Sequence, residues 1–223
     1  MSRPLLLDLF CGAGGAAVGY HRAGCDVVGV DINPQPDYPF KFIRYDAVAW
    51  LRAALSIENG LGDIAAIHAS PPCQASCALI KGNQRATAGN HVDLIPQKRK
   101  LLESVGLPYV IENVQGAAIR RDLTLCGEYF GLSVIRHRYF ECSFPVVQPI
   151  HKPHRGRVRG WRHGQYFDGP YVAVYGKGGG KASLSEAQAA MGIDWTDSLA
   201  SINEAIPPAY SEYVGGQLLG VIE

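Results

Sequence analysis

Residues 5–15 read LLLDLFCGAGG: an apolar run, an acid within it, then a glycine-rich turn. Leu5–Phe10 has the length and composition of a buried strand. Gly12–Gly15 is the turn behind it, and Ala16–Ala23 starts a helix. Strand, glycine turn and helix in that order form the first half of a βαβ unit. The glycines let backbone N–H groups approach a ligand closely, at a helix N-terminus that favours negative charge. The pattern continues downstream. Val27–Val30 is a second strand ending at Asp31, and Phe42–Tyr45 is a shorter third, followed by an Ala/Leu-rich helix to about Leu55. Ile64–Ala69 is a fourth strand running into Ser70-Pro71-Pro72-Cys73, Leu94–Val105 reads as a helix, and Tyr109–Glu112 as a fifth strand. The alternation predicts an α/β fold around a parallel sheet. Most of the strands end in small or polar residues, at the carboxyl edge where open α/β sheets bind ligands.

The character changes at about Cys142. From there to Ala182 the chain is rich in Gly, Pro, Arg and His, with one strand at Tyr171–Tyr175. Helical patterns return at Leu184–Met191 and Pro208–Leu219, and the last helix is expected to pack back on the main sheet. The division is therefore a sheet domain over 1–141, a small irregular lobe over 142–182 and C-terminal helices over 183–223.

The 223 residues suit one domain with room for a lobe. With 47% hydrophobic and 18% charged residues, disorder is excluded. Lys and Arg number 21 against 20 Asp and Glu, so net charge is silent on nucleic acid and only local clustering can speak. No apolar run approaches the ~20 residues of a membrane span. The N-terminal apolar stretch breaks at Asp8 and the glycines, unlike a signal peptide. The six cysteines hold no CxxC pair, so a reduced, cytoplasmic chain with free thiols is expected.

Chemistry concentrates at the strand ends. Asp31 is placed to hold ribose hydroxyls, and Asp46 lies where a nucleoside base would sit. Cys73 follows two prolines that fix the backbone, and a thiol so presented is a nucleophile candidate once its pKa is lowered. Glu112 ends the strand beside the one carrying Cys73; desolvated, it can stay protonated and donate a hydrogen bond. Asn113 reads more simply as a cap or turn residue. Arg136-His137-Arg138 alternates in a strand-like run, which puts both arginines on one face, suited to anionic oxygens. Residues 152–163 (KPHRGRVRGWRH) hold five Lys/Arg, no acid and Trp161, a basic patch suited to phosphates. Gln74–Asn90 is a long polar loop carrying Lys81 and Arg85, placed as a lid. His151-x-x-His154, with Cys142 and His163 nearby, lacks a recognised four-ligand spacing and is read as chance, so no metal is expected.

In order, these segments resemble the C5-cytosine DNA methyltransferases, of the small bacterial or phage type. Residues 8–15 (DLFCGAGG) look like the family's cofactor loop, Asp31-Ile32 its acid–apolar pair, and Asp46 its adenine acid. Ser70–Gln74 looks like the catalytic Pro-Cys loop, and Glu112-Asn113-Val114 matches Glu-Asn-Val. Arg136 and Arg138 match Gln-x-Arg-x-Arg, with Val134 where Gln is usual. Leu184–Gly192 and Asn203–Gly215 resemble the last two motifs, though Glu204-Ala205 departs from the usual Gly/Asn-rich start. The resembling segments span residues 5–219.

The resemblance implies a Rossmann-like sheet binding S-adenosyl-L-methionine through Phe10, Gly12, Ala13, Gly14, Gly15, Asp31, Ile32, Asp46, Ala47 and Pro71. It implies Cys73 as nucleophile on C6 of a flipped-out cytosine, Glu112 on N3 and the amine, Arg138 on O2 and Arg136 in support. Gln74, Lys81, Arg85, Lys152, Arg155, Arg157 and Arg159 would face double-stranded DNA, with 142–182 as target-recognition lobe. It further implies a monomer, with a cognate restriction endonuclease as a conceivable partner. Three rivals stand beside it. A tRNA cytosine methyltransferase would share the core but usually carries Cys-Phe-Thr, which is missing here. A catalytically silent DNA-binding protein need not keep Cys73, Glu112 and Arg138 together. A dinucleotide oxidoreductase would show G-x-G-x-x-G, where this chain has Ala17.

Overall fold

The computed structural model describes residues 2–72, 95–175 and 181–222. Cys73, Gln74, Lys81 and Arg85 lie outside the described residues, as does the rest of the expected lid.

The elements run β1 (Leu5–Leu9), α1 (Gly15–Ala23), β2 (Asp26–Asp31), β3 (Lys41–Arg44), α2 (Ala47–Leu55), β4 (Ile64–Ala69) and α3 (Ile95–Val105). They continue with β5 (Tyr109–Val114), β6 (Leu123–Leu125), β7 (Arg138–Cys142), β8 (Gly160–Arg162), β9 (Gln165–Phe167), α4 (Leu184–Met191), α5 (Leu199–Glu204) and α6 (Pro208–Ile222). Among the described residues the main sheet has the order β3-β2-β1-β4-β5-β7-β6. Strands β1 to β5 pair in parallel, while β7 runs antiparallel to both β5 and β6. The order reverses between β1 and β4. That is the switch point, where a crevice opens at the carboxyl ends of the strands.

Period-two alternation sorts the strands onto two faces. Leu6, Val27, Ala66, Val110 and Phe140 share one core with Ala16, Ala17 and Tyr20 of α1 and with Tyr210, Val214 and Leu218 of α6. Leu7, Leu9, Val28, Val30, Ile67, Ala69 and Ile111 share another with Leu51 of α2 and Leu102 of α3. The last helix packs against α1. Gly15 and Gly19 permit this: a Cβ on Gly15 would lie 2.3 Å from the Ile206 carbonyl oxygen, and one on Gly19 2.1 Å from that of Pro208. A third core joins Val134, Val174 and Ala182 to Ala187, Met191 and Ile202, so the end of the 142–182 segment packs against α4 and α5.

Two expectations are corrected. Tyr171–Tyr175 is no strand: only Tyr171 forms a bridge, to Val158, and its neighbours are apolar because they enter the third core. The lobe's strands are instead the short hairpin β8–β9. Arg136 lies before β7, so it is not on a common strand face with Arg138.

Candidate active site

The glycine turn comes first. Phe10 and Gly12 take left-handed backbone angles (φ 58 and 49), as does Gly14 (φ 89) at the cap of α1. A left-handed phenylalanine is rare and points to a constrained, functional turn. The Gly12 N–H donates to Asp31 Oδ2 at 3.1 Å, and the Asn33 N–H to Oδ1 at 2.9 Å, so Asp31 is fixed at the carboxyl end of β2 against the glycine turn. Ile32 beside it is 59% exposed. A carboxylate next to an uncovered apolar side chain, facing a glycine with open space where a Cβ would stand, suits a nucleoside: hydroxyls to Asp31, base against Ile32. The carbonyl of Ala13 accepts from the Trp195 indole at 2.8 Å.

Other expected cofactor residues have structural work. Asp46 is exposed and caps α2, accepting the Ala49 N–H at 2.7 Å. Ala47 is buried in the second core. Gly15 backs onto Ile206 rather than facing the crevice. Lys98 lies 4.6 Å above the Phe10 ring.

The second half of the site is built by β4, β5 and β7. Val114 of β5 is directly opposite Arg138 of β7, so Glu112, two residues back, is its diagonal neighbour on the same face. Arg138 Nε lies 3.0 Å from Glu112 Oε1, an ion-pair contact without the alignment of a hydrogen bond. That oxygen keeps acceptor capacity for a substrate. Burial pushes the Glu112 carboxyl above the ordinary range, against the opposing pull of Arg138, the Ser70 hydroxyl and Arg136. Asn113 sends its Nδ2 donor 2.9 Å to the carbonyl of buried Pro71, tying the end of β5 to the turn that leads into Cys73.

Arg136 does something else. Its guanidinium donates to the carbonyls of Val174 (2.8 Å) and Asn203 (2.6 Å), clamping the third core to the start of β7. Burial pulls its pKa down to about 9. It is a structural clamp here, while Arg138 is the arginine that forms an ion pair with Glu112. Val134, where the resemblance has Gln, is buried in the third core.

Several participants escaped the sequence reading. His68, fully buried in β4, bridges Tyr20 Oη (Nδ1, 3.0 Å) and Ser70 Oγ (Nε2, 2.9 Å). Burial holds its pKa down to about 3, so it is a neutral relay behind Ser70. Asp8 lies in register with His68 and accepts a hydrogen bond from the Tyr38 hydroxyl at 3.4 Å. Burial, with the charges of Asp31 and Glu112, raises it to about 8 even against the Tyr38 hydrogen bond. The signal available was a polar residue inside an apolar strand.

The basic patch divides. Arg155 pairs with Glu128 (2.9 Å) and Arg159 with Glu186, so both are committed within the protein. Lys152 and Arg157 are exposed, and Arg157 lies over the Phe167 ring at 5.1 Å. Trp161 and Tyr166, both exposed, meet edge to face across the β8–β9 hairpin.

No protein-family model matches the chain. The type II methyltransferase M.XorII of Xanthomonas oryzae pv. oryzae is 30% identical over 130 residues, which cover 53% of this chain and 30% of that relative. The S. pombe Dnmt2 methyltransferase superposes with a TM-score of 0.64 at 15% identity, covering 99% of this chain and 100% of that one. The Entamoeba histolytica methyltransferase EhMeth gives a TM-score of 0.66 at 11% identity, covering 100% of both. Identities this low speak for the fold alone. The chain thus has the Rossmann-like fold of these two methyltransferases.

Proposed function

We propose that the chain transfers a methyl group from S-adenosyl-L-methionine to C5 of a cytosine in double-stranded DNA. The observation that carries this reading is Glu112: buried, short of an aligned hydrogen bond on one oxygen, paired with Arg138 and tied through Asn113 to the turn before Cys73. Gly12, Gly14, Asp31, Ile32 and Phe10 would hold the cofactor. When bound it supplies an electrophilic methyl on a sulfonium sulfur.

The target base must leave the duplex to reach this crevice. Cys73, as thiolate, would form a bond to C6, and the displaced ring electrons make C5 nucleophilic. Glu112 in its protonated form would donate to N3, neutralising the charge that the addition drives onto the ring. Arg138 would hold O2. Once C5 carries the methyl group, loss of its proton returns the electron pair and expels Cys73. Lys152 and Arg157 would meet phosphates, and Trp161 and Tyr166 offer a surface for the groove or an unstacked base.

The test is transfer of labelled methyl to unmethylated duplex DNA, with C5 methylation mapped by sequencing, for wild type, Cys73→Ala and Glu112→Gln. Cysteine-dependent 5-methylcytosine in a consistent context is the expected result. Product from Cys73→Ala would refute the mechanism. Transfer to tRNA with none to DNA would move the substrate to RNA.

A further inference from the structure

A thiol and three imidazoles converge behind Arg138, outside the site described above. Cys126 follows β6 and caps a single 3-10 turn over Gly127–Phe130. His137 sits between Arg136 and Arg138, and His151 and His154 come from the 142–182 segment. One nitrogen or sulfur from each residue lies within 4.8 Å of all the others. His137 Nε2 is 3.3 Å from His151 Nε2, and Cys126 Sγ is 3.5 Å from His154 Nε2. In a tetrahedral zinc site, Zn–N of about 2.0–2.1 Å and Zn–S of about 2.3 Å give edges of about 3.3–3.4 Å between nitrogens and about 3.5–3.6 Å between nitrogen and sulfur. Both of these distances are edges of that size.

We infer that Cys126, His137, His151 and His154 form a tetrahedral zinc site that staples the 142–182 segment to the start of β7. Hydrogen bonding alone accounts for the cluster less well. A neutral imidazole brings one N–H, which can satisfy one neighbour, whereas here the donor atoms of four residues face one another. The rings fan out around a centre: His137 and His151 are near-parallel at 5.4 Å, while His151 and His154 are close to perpendicular at 4.9 Å. A thiolate with three imidazoles selects zinc over the oxygen-seeking cations. All four positions are filled by protein, so the site is structural rather than catalytic.

The surroundings support the ligands as an outer shell should. Backbone N–H groups of Glu128 and Arg136 face the Cys126 sulfur. Tyr129 packs its ring against His151 at 5.0 Å and Tyr171 against His154 at 6.1 Å. The Tyr171 hydroxyl donates to Glu128 and accepts the Arg155 N–H at 2.9 Å, fixing the backbone next to His154. This assignment stands whatever substrate the crevice takes.

Untagged protein from zinc-supplemented cells, analysed for metal by mass spectrometry, tests it. Wild type and His163→Asn, which changes an exposed histidine outside the cluster, should each carry one equivalent of zinc. His151→Ala and Cys126→Ser should lose it. The cobalt-substituted wild type should show intense tetrahedral visible bands and a thiolate charge-transfer band, the latter lost in Cys126→Ser. His151 is exposed, so its variant keeps the fold by circular dichroism and decides the matter should Cys126→Ser unfold. A wild type with neither stoichiometric zinc nor tight cobalt uptake overturns the inference. So does undiminished zinc in folded His151→Ala.

Discussion

Asp8 makes a measurable claim about stability. Its carboxyl lies at the centre of the sheet with no exposure, and its Oδ1 has no hydrogen-bond partner among the described residues. Burial, reinforced by Asp31 and Glu112, raises its pKa from the ordinary 3.8 to about 8. Between those two values the native protein holds a proton that the unfolded chain has released. Stability must then fall as pH rises, by about 1.4 kcal/mol per pH unit, for a total of about 6 kcal/mol. The contribution is fully present below pH 3.8 and is gone above about 8. Asp8→Asn keeps the shape and removes the titration. Urea unfolding of both proteins from pH 5 to 8 should give curves that diverge by about 1.4 kcal/mol per unit, with the variant the more stable at the alkaline end. A difference of that total size is comparable with the whole stability of a domain, so it cannot hide in experimental error. Parallel curves would refute the reasoning, because they would mean that Asp8 is ionised in the native protein, held by a partner or by water.

Three further outcomes follow from particular contacts. Asn113→Ala strands the buried Pro71 carbonyl, at about 1–3 kcal/mol of stability, and should lower kcat for methyl transfer about tenfold or more while the cofactor Kd changes little; equal losses in both would remove its role in positioning the Cys73 turn. Arg99→Ala removes two 2.6 Å hydrogen bonds from buried Glu141 and leaves it the Arg120 N–H at 2.9 Å and the Arg120 guanidinium at 3.7 Å, and denaturant unfolding should show a loss of about 1–3 kcal/mol; no measurable loss would make it an ordinary surface pair. Arg157→Ala should reduce the salt dependence of DNA binding by about one phosphate contact, whereas Arg155→Ala, already committed to Glu128, should leave that slope unchanged; the reverse result would mean the lobe repacks on DNA.

The readable parts of this chain were the locally written ones. β4 at Ile64–Ala69 and α4 at Leu184–Met191 match their expected bounds, the first because it is a short apolar run with five of its six residues buried, the second because Ser183 and Glu186 form a capping box. β6 and α5 were not legible: three and six residues are too few for a period to register. Tyr171–Tyr175 misled because burial in a helix-lined core selects the same residues as a ladder does. The arginine pair misled for a related reason. Alternation places Arg136 and Arg138 together only if the strand reaches both, and β7 begins at Arg138. His151 and His154 looked accidental because their companions, Cys126 and His137, are brought to them by the pairing of β6 with β7 and the return of the following segment.

The buried polar residues of the crevice then explain one another. Asp8, His68 and Glu112 all point to the sheet face covered by α1, and burial drives each toward its neutral form: the carboxyls upward, the imidazole down to about 3. Beside Glu112 stands the guanidinium of Arg138, its Nε 3.0 Å from Oε1. In the proposed reaction a cytosine entering there would meet a cation together with a carboxyl that burial pushes toward its proton-donating form. Both favour the ring only as it gains negative charge from a nucleophile at C6, and neither favours the resting base to the same extent, which is the condition for lowering a barrier rather than merely binding. An exposed carboxyl at that position would lose the upward push that burial gives Glu112. Its depth at the end of β5, set by the register with β7, is therefore the structural variable on which the proposed chemistry turns.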